Sequence, residues 1–257
     1  WLGADLFNTR CIRCVCIGNG TGRGKDMVSL DLSKMNSREV NLKIRELIQT
    51  EGEIEVVGTH SIHNFATGLI GKGKILLHGS TGFYTGGFME GPTLEIEGNT
   101  GWYTGDNMMD GEIIVHKNTG SNAAPSMVGG NLVIKGNSGS RCGFGMKGGN
   151  LIVCGNVGRW AGGMTLGGRI VVLGEVGKGL GESMYKGIIH SLDPDLEEKI
   201  GGNVTIVPIE DNEKKKLEKL FKKYDIEQGV DDFRSVIPLV SGRHEYVIFK
   251  PTHKKVV

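Results

Sequence analysis

The sequence predicts an all-β fold, a right-handed parallel β-helix of about seven nineteen-residue coils with flanking helices. Three observations support this prediction: a strict repeat of nineteen residues, an excess of glycine, and short strands with apolar side chains at alternate positions. Glycine accounts for 43 of the 257 residues, more than twice its average usage. With six prolines, the chain does not have the composition of collagen or of a disordered segment.

The repeat can be followed from the residue that precedes each strand. These anchor residues are Gly73, Pro92, Gly111, Gly130, Gly149, Gly168 and Gly187, and every step is nineteen residues. Two and four residues after each of the first six anchors the side chain is aliphatic, as Ile75 and Leu77 illustrate. Alternate residues of a strand share one face, so these columns predict the interior of a rod. Stacked strands lie about 4.8 Å apart, and parallel crossovers are as a rule right-handed.

Glycine and asparagine recur at the corners of the predicted coils. Nine residues after the first six anchors stand Gly82, Gly101, Gly120, Gly139, Gly158 and Gly177. A corner needs a positive φ or a close approach of two backbones, and glycine adopts either at the least cost. Asparagine recurs at positions 99, 118, 137 and 156. It fits either a stacked amide ladder or the left-handed conformation of a corner.

The segments outside the repeat divide the chain into three regions. Residues 1–70 are an N-terminal lead-in with a helix at 37–50, residues 71–207 are the β-helix, and residues 208–257 are a C-terminal helix and docking tail. Asn36 or Ser37 caps the first helix, and a strand at 52–58 starts the rod. A strand at 203–209 ends it. The second helix, at 211–224, has an apolar stripe and six lysines typical of a solvated face.

A second column of the repeat predicts an apolar stripe on the outside of the rod. Three residues after the anchors stand Leu76, Glu95, Ile114, Val133, Ile152 and Val171. By strand alternation these side chains point outward, and a contiguous apolar stripe needs a cover. We expect the chain's own helices to cover part of this stripe and a partner protein to cover more.

Charge and cysteine content restrict the kind of partner and compartment. Lys and Arg number 30 against 29 Asp and Glu, and a near-neutral chain argues against nucleic acid as a partner. No apolar run of eighteen residues predicts a membrane span, and no signal-type stretch leads the sequence. Five unevenly spaced cysteines do not form a disulfide framework, which favours a cytoplasmic protein.

Two sets of residues are weak candidates for metal ligands. Cys11, Cys14 and Cys16 lie close together, but a cluster or zinc site commonly needs four ligands. His78, Glu97 and His116 share one column on three successive coils, where rung spacing of about 4.8 Å could bring them together. In both cases the structural interpretation is favoured: small buried cysteines and a polar column on a strand. We therefore predict no metal on this chain.

The corner aromatics are the best candidates for an interface. Phe83 and Tyr84 fall in register with Trp102 and Tyr103 on the next coil, and Trp160 shares the tyrosine column. Clustered aromatics are typical of protein interfaces, although aromatics that pack on one another at a corner fit equally well.

Catalytic motifs are absent from the sequence. The segment "GNGTGRGKD" fails as a phosphate loop because Asp26 follows Lys25 and Asn19 occupies the place of the first glycine. A nucleophile elbow and a metalloprotease helix are also missing. A hexapeptide-type acyltransferase remains an alternative, but that class favours an eighteen-residue period with aliphatic corners.

Several segments resemble a known family. The sequences "GFYTGGFMEGP", "GWYTGDNMMDG", "SRCGFGMKGG" and "RIVVLGEVGKGLGESMYKG" resemble the Gly-x-Gly-x-Gly domain of glutamate synthase large subunits. The resemblance covers roughly residues 30–190 and is closest to the stand-alone archaeal form of the domain. The scaffold component of formylmethanofuran dehydrogenase is a more distant relative.

The resemblance implies a non-catalytic subunit. In this family the domain is a right-handed β-helix without catalytic or cofactor-binding residues, so none is assigned here. Its partners would be a glutamine amidotransferase with an N-terminal cysteine nucleophile and a synthase unit that carries FMN and an iron–sulfur cluster. The chain would hold both in place, and it could also form a homo-oligomer. A formylmethanofuran dehydrogenase scaffold is the alternative that the distant relative implies.

Overall fold

The computed structural model describes residues 28–239. Its strands are β1 Val28–Asp31, β2 Glu53–Val57, β3 Lys74–Leu77, β4 Thr93–Ile96, β5 Glu112–Val115, β6 Asn131–Ile134, β7 Asn150–Val153, β8 Leu166–Val172, β9 Lys186–Ser191, β10 Val204–Pro208 and β11 Arg234–Pro238. The described helices are α1 Ser37–Thr50 and α2 Asp211–Lys223, with one 3-10 turn at Leu196–Glu198. The strands form one sheet in the order β1 to β9, then β11 and β10. The predicted parallel β-helix of about seven coils is confirmed.

The nineteen-residue period sets the register of the sheet. Ile75 pairs with Leu94, and the same column continues through Ile113, Leu132, Leu151, Ile170 and Ile189. All of these side chains are fully buried. Shorter bridges between Thr100, Thr119, Ser138, Val157 and Val176 stack a second side of the coils. Each coil therefore buries its neighbour's apolar face, as expected of a solenoid.

Every coil turns its corner through alternate left-handed residues. In one coil these are Tyr103, Gly105 and Asn107, with φ of 64°, 70° and 49°. Glycine occupies the middle position in most coils, but Ala66 and Ala124 take it in two of them, each at φ 55°. Because this backbone conformation is set by the winding of the coil, bulky residues adopt it as well.

The asparagine column is a hydrogen-bonded ladder. The side-chain oxygen of Asn118 accepts from the backbone N–H of Asn137 at 2.8 Å, and Asn137 accepts from Asn156 at 2.8 Å. None of the four asparagines has a positive φ, so the ladder interpretation holds and the left-handed one does not. Each side chain ties its own coil to the next one.

The parallel ladder begins one strand earlier than the sequence predicts. Strand β1 pairs in parallel with β2, Val28 opposite Ile54, although the helix α1 separates them along the chain. Asn36 caps that helix: its side chain accepts from Glu39 N–H at 3.1 Å, and Glu39 accepts from Asn36 N–H at 2.9 Å. Buried Val40 and Ile44 join the interior cluster. The repeat does not reveal β1 because α1 interrupts the period.

Helix α2 covers the outward stripe. Val133, Ile152 and Val171 are fully buried and form one cluster with Leu217 and Phe221 of α2. The expectation that the chain's own helix covers part of the stripe is confirmed. These three residues need no partner protein for their burial, and Ile114 is also partly buried against this cluster.

The end of the sheet differs from the prediction. Strand β10 does not stack on β9 as a last coil, because β11 lies between them and pairs antiparallel with both. The antiparallel β11 leaves β10 as the edge strand at this end of the sheet, an arrangement that the repeat does not predict. The rest of the predicted docking tail, 240–257, lies outside the described residues.

Candidate functional site: an aromatic and basic corner surface

The predicted aromatic residues stack along one side of the rod. The rings of Tyr84 and Tyr103 lie 4.8 Å apart at 7°, and those of Phe83 and Trp102 lie 5.7 Å apart at 25°. All but Tyr103, which is half-buried, are exposed: Trp102 keeps 51 % of its surface. Phe88 is exposed on the same segment. We call this side the corner surface, defined by Phe83, Tyr84, Phe88, Trp102, Tyr103 and Trp160.

Glycines in one column of the repeat leave space for two of these rings. One coil passes close to the coil before it at the predicted Gly82, Gly101, Gly120, Gly139, Gly158 and Gly177. A Cβ at Gly101 would lie 2.6 Å from Cδ1 of Phe83, and a Cβ at Gly120 would overlap the ring of Trp102. At these two coils the ring lies beside the glycine of the next coil, whereas Gly139 and Gly158 lie against the backbone of Ser121 and Ser140.

Three of the aromatics occupy a strained backbone position. Tyr84, Tyr103 and Trp160 have φ of 59°, 64° and 59°, a left-handed conformation that costs an ordinary residue about 1–2 kcal/mol. Two other coils carry Asn122 and Gly179 at this corner, which tolerate it better. Since the fold accepts asparagine or glycine here, the two tyrosines and the tryptophan are not required by the coil, and strain of this kind concentrates at functional positions.

Sequence reasoning missed three members of the site. His63 extends the stack: its ring lies 4.8 Å from that of Phe83, and its Nδ1 accepts the Phe83 N–H at 2.8 Å. It was missed because the first coil is out of period, twenty residues separating His63 from Phe83. Arg141 and Arg159 each place the guanidinium carbon 4.9 Å from the Trp160 ring centre. Arg141 shares the Trp160 column, a signal that could have been found.

The metal candidates are not brought together as a site. His78 bonds to Glu97 at 2.8 Å, but His116 bonds to Glu95 instead, at 2.9 Å. The hydrogen bond that His78 donates to Glu97, and then the one to Glu55, raises the pKa of His78. In the part of the chain that the structure describes, no group of His, Cys, Asp or Glu is arranged to hold a metal. Cys11, Cys14 and Cys16 lie outside the described residues.

A buried polar cluster joins α2 to the end of the sheet. His190 is fully buried between Ser235, with Oγ 3.0 Å from its Nδ1, and Glu213, with Oε2 3.2 Å from its Nε2. Arg169 and Lys216 also bond to Glu213, at 2.8 and 2.7 Å. Burial lowers the pKa of His190 to about 4. Burial alone would raise the pKa of Glu213, but Arg169 and Lys216 outweigh it and hold it at about 2.

The composition of this cluster is that of a hydrolase triad, but its geometry is not. A triad needs a serine that a substrate can reach, whereas Ser235 is buried on β11, between His190 of β9 and Val207 of β10. In addition, the carboxylate of Glu213 is shared with two cations. The cluster holds α2 against strands β8, β9 and β11 through hydrogen bonds and ion pairs.

The fold and the site define a stacked β-solenoid with an exposed aromatic and basic side. The family profile described as the GXGXG motif matches residues 26–238, and the chain belongs to this family, the glutamate synthase-type domain. A comparison with curated protein sequences finds no match. Within residues 28–239, neither helix combines the length and the apolar run needed to cross a bilayer.

Proposed function

We propose that this chain is a non-catalytic structural subunit of a glutamate synthase-type complex. In that role it holds a glutamine amidotransferase next to a synthase unit that carries FMN and an iron–sulfur cluster. The family membership supports the glutamate synthase context. The single observation that supports a docking role is the corner surface, where most of the aromatics are exposed and three of them, Tyr84, Tyr103 and Trp160, stand at left-handed positions that also accept asparagine or glycine.

The physical purpose of such a subunit is to fix two active sites relative to each other. Ammonia released at one site exchanges with solvent unless the second site is close and correctly placed. A rod of hydrogen-bonded coils is stiff, because every coil is bonded to both neighbours over its strand and its corner. Functional sites are positioned best by rigid elements, and correct placement contributes directly to rate.

Reconstitution tests this proposal. The chain is purified alone and then mixed with the amidotransferase and FMN-dependent synthase subunits of the same organism. We expect no glutaminase or glutamate synthase activity and no flavin absorbance from the chain alone. When the chain is added to the two enzymes, the rate of glutamine-dependent glutamate formation should rise. A stoichiometric flavin on the isolated chain, or no association with either enzyme, would overturn the proposal.

A substitution at the corner separates docking from internal packing. In Tyr103→Asn the loss of the Tyr84 stack, about 0.5–1.5 kcal/mol, is offset by relief of left-handed strain of about 1–2 kcal/mol. We expect the free energy of unfolding to stay within about 1 kcal/mol, while affinity for the partner falls roughly tenfold or more, as for an aromatic hot spot. Leu239→Asn, which removes an exposed apolar side chain elsewhere, is the control and should leave affinity unchanged.

A further inference from the structure

One end of the corner surface is basic. Arg141 and Arg159 are exposed and stack on Trp160, and Lys178 follows Arg159 in the same column of the next coil. The other end, from Phe83 to Tyr103, is aromatic. The corner surface therefore presents two chemistries along one line, an apolar row and a cluster of cations.

Two of the six arginines between residues 28 and 239 hold ion pairs, and Arg141 and Arg159 are among the four that do not. Arg169 pairs with Glu213 and Arg234 with Glu197, whereas neither Arg141 nor Arg159 forms an ion pair with any residue between 28 and 239. Both guanidinium groups lie 4.9 Å from the centre of one ring, and neither has a counter-charge among residues 28–239. An anion that binds beside this ring is attracted by both positive charges.

The stacking also prepares the arginines for binding. A guanidinium that lies on an aromatic face keeps its N–H fork free for a carboxylate, to which it donates two parallel bonds. Because Trp160 already restricts both side chains, less conformational entropy is lost when a ligand binds. Trp160 itself is held at a φ of 59° although Gly179 takes the same corner one coil later, so the backbone of this corner does not require tryptophan.

We infer that the Arg141–Trp160–Arg159 stack binds an acidic segment of a partner protein whose adjoining surface is apolar. This inference rests on the proposed function insofar as it assigns the corner surface to a protein partner. The aromatic row would meet the apolar part of that partner, and the arginines its carboxylates. A near-neutral chain, with 30 basic and 29 acidic residues, favours an acidic protein over nucleic acid, which needs an extended basic face.

The test measures binding of a fluorescein-labelled decaglutamate peptide by anisotropy. The variant is the double substitution Arg141→Gln and Arg159→Gln, which keeps much of the aliphatic contact with Trp160. The control is Lys117→Gln with Lys222→Gln, which removes the same charge from exposed positions elsewhere. We expect saturable binding by the wild type and the control, weakened as ionic strength rises, and at least roughly tenfold weaker binding by the arginine variant.

Three outcomes would overturn the inference: no binding to the wild type, equal binding by the arginine variant and the control, or tighter binding of a single-stranded oligothymidylate, which would identify a nucleic-acid surface. Circular dichroism and thermal unfolding show whether each variant is folded. The peptide experiment is independent of the proposed complex. If the glutamate synthase subunits fail to associate but the peptide binds through the arginines, the proposed function is wrong and the acidic partner stands.

Discussion

Gly158 illustrates at the scale of a residue why this chain is so rich in glycine. Its φ is outside the left-handed region, so it is not there for its conformational freedom. A Cβ at this position would lie 2.6 Å from the backbone nitrogen of Ser140 and 2.8 Å from its Cα, on the preceding coil. Backbone atoms cannot move aside as a side-chain terminus can, and so the approach of two coils requires glycine.

We therefore expect Gly158→Ala to lower the free energy of unfolding by about 1–3 kcal/mol, the usual effect of overpacking. Gly202→Ala is the matched control, because nothing lies within 4 Å of a Cβ at Gly202 and its φ is not left-handed. Its effect should stay within about 0.5 kcal/mol. Urea unfolding of both variants checks the prediction, and equal losses of stability would contradict it.

At the scale of an element, α2 is held by an apolar centre with a polar rim. Leu217, Phe221 and Tyr224 pack on the outward stripe. Around them, Glu213 bonds to Arg169, and Lys223 to Glu112. Lys135 donates to the carbonyl of Tyr224 at the C-terminal end of the helix, where a cation is favoured by the helix dipole. The rim determines where along the stripe the helix lies, since apolar contacts alone are not directional.

Breaking this rim should loosen the helix. In Glu213→Gln the Arg169 guanidinium, 16 % exposed, loses its counter-charge, and breaking such a pair is strongly destabilising, by about 3 kcal/mol or more when fully buried. We expect a loss of about 2–3 kcal/mol here because both groups keep slight solvent contact. Glu218→Gln, an exposed carboxylate of the same helix, is the control. Urea unfolding of the two variants gives the comparison. If Glu213→Gln lowers the free energy of unfolding no more than the control does, the cluster does not hold α2 to the sheet.

The same cluster predicts acid sensitivity. The pKa of His190 falls from 6.5 to about 4 in the folded chain, so its stabilising contribution is complete above about 6.5 and is lost as pH falls towards 4. The pKa of Glu213 falls from 4.5 to about 2, so its contribution is lost below about 4.5. Both groups therefore weaken the fold on acidification, with His190 titrating first.

Comparison of the wild type with His190→Gln isolates this effect. We expect the wild type to lose more stability than the variant between about pH 6.5 and pH 4, because glutamine bonds to Ser235 and Glu213 without titrating. The measurement is the urea midpoint of each protein at several pH values. Parallel profiles for the two proteins would rule out His190 as the titrating group.

At the scale of the whole molecule, the repeat makes the rod modular. Thr93 stacks on Glu112 in register, so removal of residues 93–111 joins Pro92 to Glu112 and leaves every remaining strand in place. We expect this nineteen-residue deletion to fold into a rod about 4.8 Å shorter, with cooperative unfolding. The deleted coil lies outside the described contacts of α2 with the stripe.

A shorter deletion should be more harmful than this longer one. Removal of residues 93–102 breaks the period, so the interior columns of the following coils no longer match the preceding ones. Circular dichroism and size-exclusion chromatography distinguish a folded rod from an aggregated chain. If both deletions fold equally well, the period does not control the register.

Repetition made much of this molecule predictable. The columns of Ile75 and Leu77, the corner glycines and the stacked aromatics follow from the sequence, because each coil contacts its neighbours at a fixed separation of nineteen residues. A contact at constant separation appears as a period, and a period can be counted. The position of β1 was missed where α1 interrupts that count.

The sequence by itself thus determined the winding of the chain, its interior and the row of aromatics on its surface. Only the tertiary structure decided that β11 lies between β9 and β10, that His190 is enclosed with Glu213 and Ser235, and that two arginines stack on Trp160. For the strand order and the enclosed cluster the reason is physical: these contacts join residues at separations that occur once, so no local period or propensity encodes them. They form only after the coils have brought distant side chains to the same place.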